Sequence, residues 1–236
     1  MSETIHEPWQ VAVREQNAIE MERLLREQPA LAHEAIVFTR GNGTTYRRLP
    51  LCVSNENFEI ARFLIEAGAD VNGADPDGGG RPLSGPTLEV GELLITHGAD
   101  INAFGYEHLT PLAYGAYVGD LPWIEHLISC GADVNRAHPA EAISPLHYAA
   151  TRCTEPVLRA LLAAGADPQQ PDAQGRTALQ WATDQSREPA ILTLLSGTPP
   201  PAGVATQFSD PVQRPLSTSR GPSTSQSTHT AGFTGR

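Results

Sequence analysis

The run Ser144-Pro145-Leu146-His147-Tyr148-Ala149-Ala150, followed after a short gap by Leu161-Leu162-Ala163-Ala164-Gly165-Ala166-Asp167, decides how this chain is read. Ser144 stands where a helix N-cap belongs. Pro145 suits the first helical position, because the N–H it lacks would have no partner there. The small residues Ala149 and Ala150 let that helix pack closely on its neighbours. Next, Leu158, Leu161 and Leu162 stand three and four residues apart in the usual helical pattern, so they form one apolar stripe on a second helix. Gly165 ends it, since a left-handed residue satisfies the last carbonyls and only glycine adopts that conformation freely. The unit is thus a helix, a tight loop, a second helix and an extended excursion.

The same frame recurs upstream. Gly68-Ala69-Asp70-Val71-Asn72, Gly98-Ala99-Asp100-Ile101-Asn102 and Gly131-Ala132-Asp133-Val134-Asn135 are near-copies of Gly165-Ala166-Asp167-Pro168-Gln169, with the glycines 30, 33 and 34 residues apart. An apolar stripe precedes each: Ile60, Phe63, Leu64; Val90, Leu93, Leu94; Ile124, Leu127, Ile128. Thr110-Pro111-Leu112 repeats the start signal. A period of about 33 residues marks a solenoid, whose units hide their apolar sides against one another.

In these residues the chain resembles the ankyrin-repeat proteins, over positions 8–196. The resemblance implies an all-α solenoid of stacked helix-turn-helix units with β-hairpin-like connections. Counting back 20 residues from each glycine places first-helix starts at Arg48, Gly78, Pro111 and Pro145. Six units are expected, near 8–33, 34–72, 73–102, 103–135, 136–169 and 170–196, within a domain spanning 1–196. The outer two are degenerate caps. Pro8 to Leu25 forms the first, with Gln28 where glycine would stand, and Asp172 to Leu195 the last, opened by Gly175-Arg176-Thr177-Ala178-Leu179.

Two departures break the pattern. Gln28 and Gly68 lie 40 residues apart, about seven too many. The surplus reads Ile36-Val37-Phe38-Thr39, Arg40-Gly41-Asn42-Gly43, Thr44-Thr45-Tyr46-Arg47, which predicts a β-hairpin finger. It carries the most basic patch, Arg40, Arg47 and Arg48, and is either a plain lengthening or a contact finger. In the third unit, Gly78-Gly79-Gly80-Arg81-Pro82-Leu83-Ser84-Gly85-Pro86 occupies the place of a first helix. Three consecutive glycines and two prolines cannot sustain one. The second helix there, Leu88 to Thr96, is regular. The gap is either neutral decay or a pocket or joint for a partner.

Charge is uneven. The chain holds 27 Asp and Glu against 16 arginines and no lysine, a net −11. Residues 1–48 carry −1, residues 49–196 carry −12 and residues 197–236 carry +2. An acidic body repels phosphate backbones, so no nucleic-acid partner is expected and a basic protein partner is favoured. Residues 197–236 include 24 Pro, Ser, Thr or Gly among 40. That composition cannot bury enough apolar surface to offset the entropy of ordering, so a disordered C-terminal tail is expected. No apolar stretch approaches the roughly 18 residues of a membrane helix, and the N-terminal residues lack a basic-then-apolar signal. Cys52, Cys130 and Cys153 read as reduced, buried small residues of a cytoplasmic protein.

Little in the chain suggests chemistry of its own. There is no Cys-x-x-Cys or paired-histidine spacing for a metal. Cys153 lies six residues after His147 with no oxyanion element near it. Gly78-Gly79-Gly80 lacks the Gly-Lys-Ser/Thr of a phosphate loop. No catalytic residue, metal or cofactor is expected. The recurrent Asp and Asn bridge backbone locally. In some ankyrin-repeat proteins the equivalent Asn is hydroxylated, and the resemblance makes Asn72, Asn102 and Asn135 candidates for that modification, which nothing else in the sequence requires.

The resemblance also implies a docking map, since such arrays bind through the hairpin tips and the concave face of the first helices. The position after the Leu-His pair reads Val11, Leu51, Arg81, Tyr114, Tyr148 and Trp181 in units one to six. Phe104, Tyr106 and Tyr117 add rings in unit four, and Glu107, Asp120, Asp184, Arg152 and Arg176 form a charged rim. Large rings with polar tips dominate binding hot spots, although rings at these positions equally serve to cover the core. The expected function is a non-enzymatic protein–protein interaction module, monomeric on its own, acting as adaptor, inhibitor or regulator. One version neutralises a basic protein such as a toxin. The alternative is a secreted effector or modification adaptor whose lysine-free chain resists lysine-directed tagging.

Overall fold

The computed structural model describes residues 3–152 and 154–197. Most of the expected tail, residues 198–236, and Cys153 lie outside the described residues. The array begins with helices α1 (Glu3–Arg14) and α2 (Ala18–Glu27). A 3-10 turn at Pro29–His33 leads into strands β1 (Ile36–Thr39) and β2 (Thr45–Arg48). They pair antiparallel, Ile36 opposite Arg48 and Thr39 opposite Thr45, so the finger is a true hairpin. Then come α3 (Pro50–Val53), α4 (Phe58–Glu66), α5 (Leu88–Thr96), α6 (Pro111–Val118), α7 (Leu121–Ser129), α8 (Pro145–Arg152), α9 (Glu155–Ala163), α10 (Ala178–Asp184) and α11 (Pro189–Leu195).

Local chemistry sets the ends of these helices. Asn17, Asn57, Thr87, Thr110 and Asp120 each accept a backbone N–H three residues on, capping the helix that follows. At the far end Gly68, Gly98, Gly131 and Gly165 all have φ near +90°. Each glycine N–H reaches the carbonyl three residues back, and the next residue reaches the one five back: Gly68 to Ile65 and Ala69 to Leu64, with the same pair at the other three. The first helices stack as α6, α8 and α10, while the second helices stack as α2, α4 and α5 and as α7, α9 and α11. The seam between them is one apolar core, from Trp9, Met21 and Leu24 through Leu64 and Leu94 to Leu127, Leu161 and Leu195.

The Asp and Asn after each glycine do more than bridge locally. Asp70, Asp100 and Asp133 accept the N–H two residues on, as expected. Each Asn reaches into the next unit: Asn72 Oδ1 accepts the Asp100 N–H at 2.7 Å, Asn102 that of Asp133 at 2.8 Å and Asn135 that of Asp167 at 2.8 Å. Asn72 and Asn135 also donate to the carbonyls of Gly98 and Gly165. The asparagines are stitches between units.

Several expectations need correction. The first helix of unit two starts at Pro50, with Leu49 as cap, and not at Arg48, whose backbone is held in β2. Leu51 is therefore a buried core residue, and Val53 takes the position that Tyr148 has in unit five. Pro8 does not open α1 but lies inside it. No helix starts at Gly78. Asp75 N–H closes on Gly80 C=O there, as Gly105 does on Leu109 in unit four, so Arg81 matches Thr110 and Gly85 matches Tyr114. Arg81 is thus at the cap position and not on the docking row. Cys52 is buried as expected, whereas Cys130 is exposed, because it follows the last turn of α7.

Candidate functional site

Where unit three lacks its first helix, the chain makes turns from Asp75 to Gly85 and then enters α5 directly, capped by Thr87. The gap is partly filled from both sides. From unit four, the Tyr114 ring lies so close over Gly85 that a Cβ there would come within 2.5 Å of its Cε1. From unit two, the hairpin folds against the Asp75–Gly80 turn. The Arg47 guanidinium grips Asp77 with two bonds, at 3.1 and 2.9 Å, and the Arg47 N–H adds a third at 2.7 Å. These bonds hold the Asp77 carboxyl below the usual carboxylate range. Arg48 Nε binds the buried Asp75 at 2.9 Å, and the Leu49 N–H binds its other oxygen at 2.7 Å.

A cavity of about 350 Å³ remains. Tyr46, Tyr106, Tyr114 and Leu109 wall it, Gly78, Gly80 and Ser84 line its glycine-rich turn, and Arg40, Arg47, Arg48 and Arg81 surround it with Asp75 and Asp77. Four guanidinium groups face two carboxylates, a local positive excess in a chain of net −11. Two of the four have no carboxylate partner among the described residues. Arg40 lies 5.2 Å over the Tyr46 ring. Arg81 is spent on carbonyls, those of Phe104 at 3.0 Å and Asn72.

Units four to six form a second cleft, of about 340 Å³, lined by Tyr117, Tyr148, Arg152, Arg176, Trp181 and Asp184. Tyr117 and Tyr148 meet edge to face at 6.0 Å. Arg152 stacks on Tyr117 at 4.6 Å and Arg176 on Trp181 at 5.1 Å. Arg136 covers Phe104 at 4.7 Å. A guanidinium over a ring is held in place, and Arg176 is in addition paired with Asp172 at 2.9 Å and Asp184 at 4.0 Å. The residue row read from the sequence as aromatic is therefore aromatic and cationic together.

The structure thus divides the expected site residues into two groups. Arg40, Arg47, Tyr106 and Tyr114 meet at the first cavity, while Tyr117, Tyr148, Arg152, Arg176 and Trp181 meet at the second. Phe104 lines neither. Glu107 projects from the tip of unit four, a short 3-10 turn over Tyr106–His108, in a left-handed conformation at φ 51°. Tyr106 is 57% exposed and Tyr117 38%. Tyr148 packs partly on the core, and Trp181 is anchored, its indole N–H donating to Asp172 Oδ2 at 2.8 Å.

Asp75 belongs to the first cavity and was not marked by sequence, whereas Arg48, read in the basic patch of the hairpin, and Arg81, read on the docking row, join it there. The +7 spacing from each repeat glycine, which aligns Asp75, Gly105, His138 and Asp172, would have found Asp75. Asp172 is this position in unit six. Burial opposes its ionisation, but the Arg176 and Gln174 N–H groups, Trp181 and the Arg176 guanidinium outweigh that and hold it at about 2. His147 sits beside it. The Ser144 N–H and hydroxyl both point to Nδ1, leaving the proton on Nε2, which donates to the Arg176 carbonyl at 3.0 Å. This histidine thus ties its own helix to the backbone of the next hairpin. Burial lowers its pKa. Among the described residues no group of His, Cys, Asp and Glu is arranged to hold a metal, and no helix is long and apolar enough to cross a membrane.

Comparison with known proteins agrees with this geometry. Residues 49–76 match the family model for the ankyrin repeat, and residues 112–201 match that for ankyrin repeats in three copies. The interval between the matches is the third unit and the tip that follows it, where the first helix is missing. The chain is 30% identical over 118 residues to the B-cell lymphoma 3 protein homolog of Mus musculus, covering 48% of this chain and 26% of that protein. It is 35% identical over 127 residues to the zinc finger CCCH domain-containing protein 50 of Oryza sativa subsp. japonica, covering 50% of this chain and 18% of that one. The matched region thus spans about a quarter or less of these relatives' length. With two family models matched and helix pairs stacked within the matched residues, the chain belongs to the ankyrin-repeat proteins, a family of protein–protein interaction modules that are typically non-enzymatic.

Proposed function

We propose that the array acts as an adaptor, inhibitor or regulator by docking a segment of one protein partner along the concave side of units four to six. The observation that carries this is the second cleft: Tyr117 and Tyr148 in edge contact, with Arg152 and Arg176 stacked on neighbouring rings. Rings with polar tips offer large contact area at low entropic cost, and Arg152, held over the Tyr117 ring, needs little further ordering to bond a partner. Catalysis has no place in this reading.

The overall field favours a partner of opposite net charge. Asp70, Asp100, Asp133 and Asp167 lie along one edge of the array with no cation paired to them among the described residues, in a section of net −12. Such a field speeds the approach of a basic protein, while the arginines of the cleft fix how it seats. Neutralisation of a basic toxin is one form this takes.

The test is affinity capture with the full chain and with a Tyr117→Ala/Arg152→Ala double variant. Both residues are exposed, so helicity and thermal stability stay unchanged. A stoichiometric partner with isoelectric point above about 8 is expected, bound more weakly by the variant by about 2 kcal/mol, roughly thirtyfold. Equal capture by both chains overturns the cleft as the docking site, and capture only of acidic partners overturns the charge argument.

A further inference from the structure

The first cavity lies outside the cleft assigned above and exists because this chain lacks one helix and carries one extra hairpin. We propose that it is an anchor pocket for an acidic segment of a partner protein, taking one apolar side chain between its rings while flanking carboxylates bind Arg40 and Arg81. This rests on the array being a protein-docking module, but not on which face of units four to six is used.

Size and wall chemistry come first. A volume of about 350 Å³ falls at the lower end of the ligand-pocket range of roughly 300–1,000 Å³, enough for one large side chain and part of its neighbour. The walls are rings, with Tyr106 standing largely in solvent at 57% exposure. The tyrosine hydroxyls at positions 46, 106 and 114 donate to nothing among the described residues, so the pocket presents donors as well as apolar faces.

Charge then selects the occupant. Arg47 and Arg48 are matched by Asp77 and Asp75. Among the described residues Arg40 and Arg81 are paired with no carboxylate, and Arg81 is half-buried with its guanidinium bonded to the Phe104 and Asn72 carbonyls. A half-buried guanidinium lacking a counter-charge favours a carboxylate that arrives with the ligand. The chain's own residues 198–236 have the wrong sign, with Arg214, Arg220 and Arg236 against Asp210. The pocket also adjoins the first-helix row: Tyr114, its wall, stands on α6, which packs on α8 with Tyr148. A segment leaving the pocket therefore continues onto that row, which favours a peptide over a free small molecule.

The experiment uses the full chain and a fluorophore-labelled, end-capped pentapeptide with phenylalanine at its centre and two glutamates on either side. Fluorescence anisotropy measures binding at low salt. The glutamate peptide is expected to bind at least tenfold more tightly than the same peptide with glutamines, and a lysine version not at all. Arg40→Glu and Tyr106→Ala, both at exposed positions, each weaken the glutamate peptide at least tenfold with the melting temperature unchanged. The Tyr117→Ala/Arg152→Ala variant binds it normally, so failure of the cleft reading and failure of this one are told apart. Equal binding of glutamate and glutamine peptides overturns the proposal. So does glutamate binding that Arg40→Glu leaves intact, or competition by inorganic phosphate at equal concentration, which marks a simple anion site.

Discussion

Replacing Gly91 by alanine tests whether packing or helix propensity rules the joint between units three and four. Gly91 lies inside α5, where alanine is ordinarily better by about 1 kcal/mol. Here a Cβ would sit 2.4 Å from both Cη2 and Cζ3 of Trp123, against the roughly 3.5–4.0 Å of a relaxed carbon contact. The indole has nowhere to go. Trp123 is 2% exposed, and its ring is stacked on His126 at 5.7 Å. Overpacking of this kind costs about 1–3 kcal/mol, and a displacement above 1 Å places it at the upper end. Subtracting the propensity gain leaves a net loss of about 2 kcal/mol. For a domain of this size that is a fall of about 4–8 °C in melting temperature by circular dichroism. In a Trp123→Leu background the clash is gone, and the same Gly91→Ala change should be neutral or stabilising by up to about 1 kcal/mol. A rise in melting temperature in the intact chain refutes the reasoning, and so does an equal loss in both backgrounds.

Acid should open the joint between units five and six first. His147 faces Asp172 and Arg176, and its lowered pKa means that the neutral ring is the stable one. Its contribution is whole above about pH 6.5 and is lost as pH falls below that value. Asp172, held at about 2, contributes fully above about pH 4 and loses its share as pH drops toward 2. Hydrogen exchange over α10 should therefore quicken in two stages on acidification. His147→Gln flattens the first and Asp172→Asn the second, and exchange that stays uniform along the array from pH 7 to 3 contradicts the assignment. In a separate measurement, peptide mapping after brief alkylation should find Cys130 labelled and Cys52 protected, since burial and the nearby Asp75 push the Cys52 thiol up. Faster labelling of Cys52 would place it at the surface.

What was legible in the letters was whatever the repeat enforces locally. Gly68, Gly98, Gly131 and Gly165 had to terminate helices because their left-handed backbone is a property of a few neighbouring residues, and all four do. The hairpin was legible for the same reason, from two β-rich runs about a Gly-Asn-Gly turn. The register of units two and three was not. Counting back a fixed 20 residues assumes helix pairs of constant length, whereas Pro50 stands only 18 residues before Gly68, and Pro82, the position after the cap in unit three, only 16 before Gly98. Those four missing residues put Arg81 on the docking row in the sequence reading, whereas in space Gly85 holds that place. Non-local pairings were equally hidden. Nothing in the spacing says that Arg152 lies on Tyr117, 35 positions away, because that contact is made by the packing of α6 against α8.

The two departures from the repeat are best understood as one, and Asp75 and Asp172 show why. They hold the same position in units three and six, each a buried carboxylate at the mouth of a tip. Asp172 is satisfied mostly within its own unit, by the Arg176 backbone and side chain and by Trp181 on the first helix. Unit three has no first helix, and Gly85 stands where Trp181 would, so that donor is lost. A buried carboxylate without donors is costly, by about 1–3 kcal/mol for the unmet bonds and more for the charge. Asp75 turns instead to the preceding unit and takes the Arg48 guanidinium and the Leu49 N–H, both delivered by the end of the inserted hairpin. The insertion thus supplies the cation that the deletion requires, and Arg47 repeats the arrangement at Asp77. A chain with the helix lost and the hairpin absent would leave Asp75 buried and unpaired. One with both keeps the array continuous, and it leaves a ring-walled cavity where the two repairs do not quite meet.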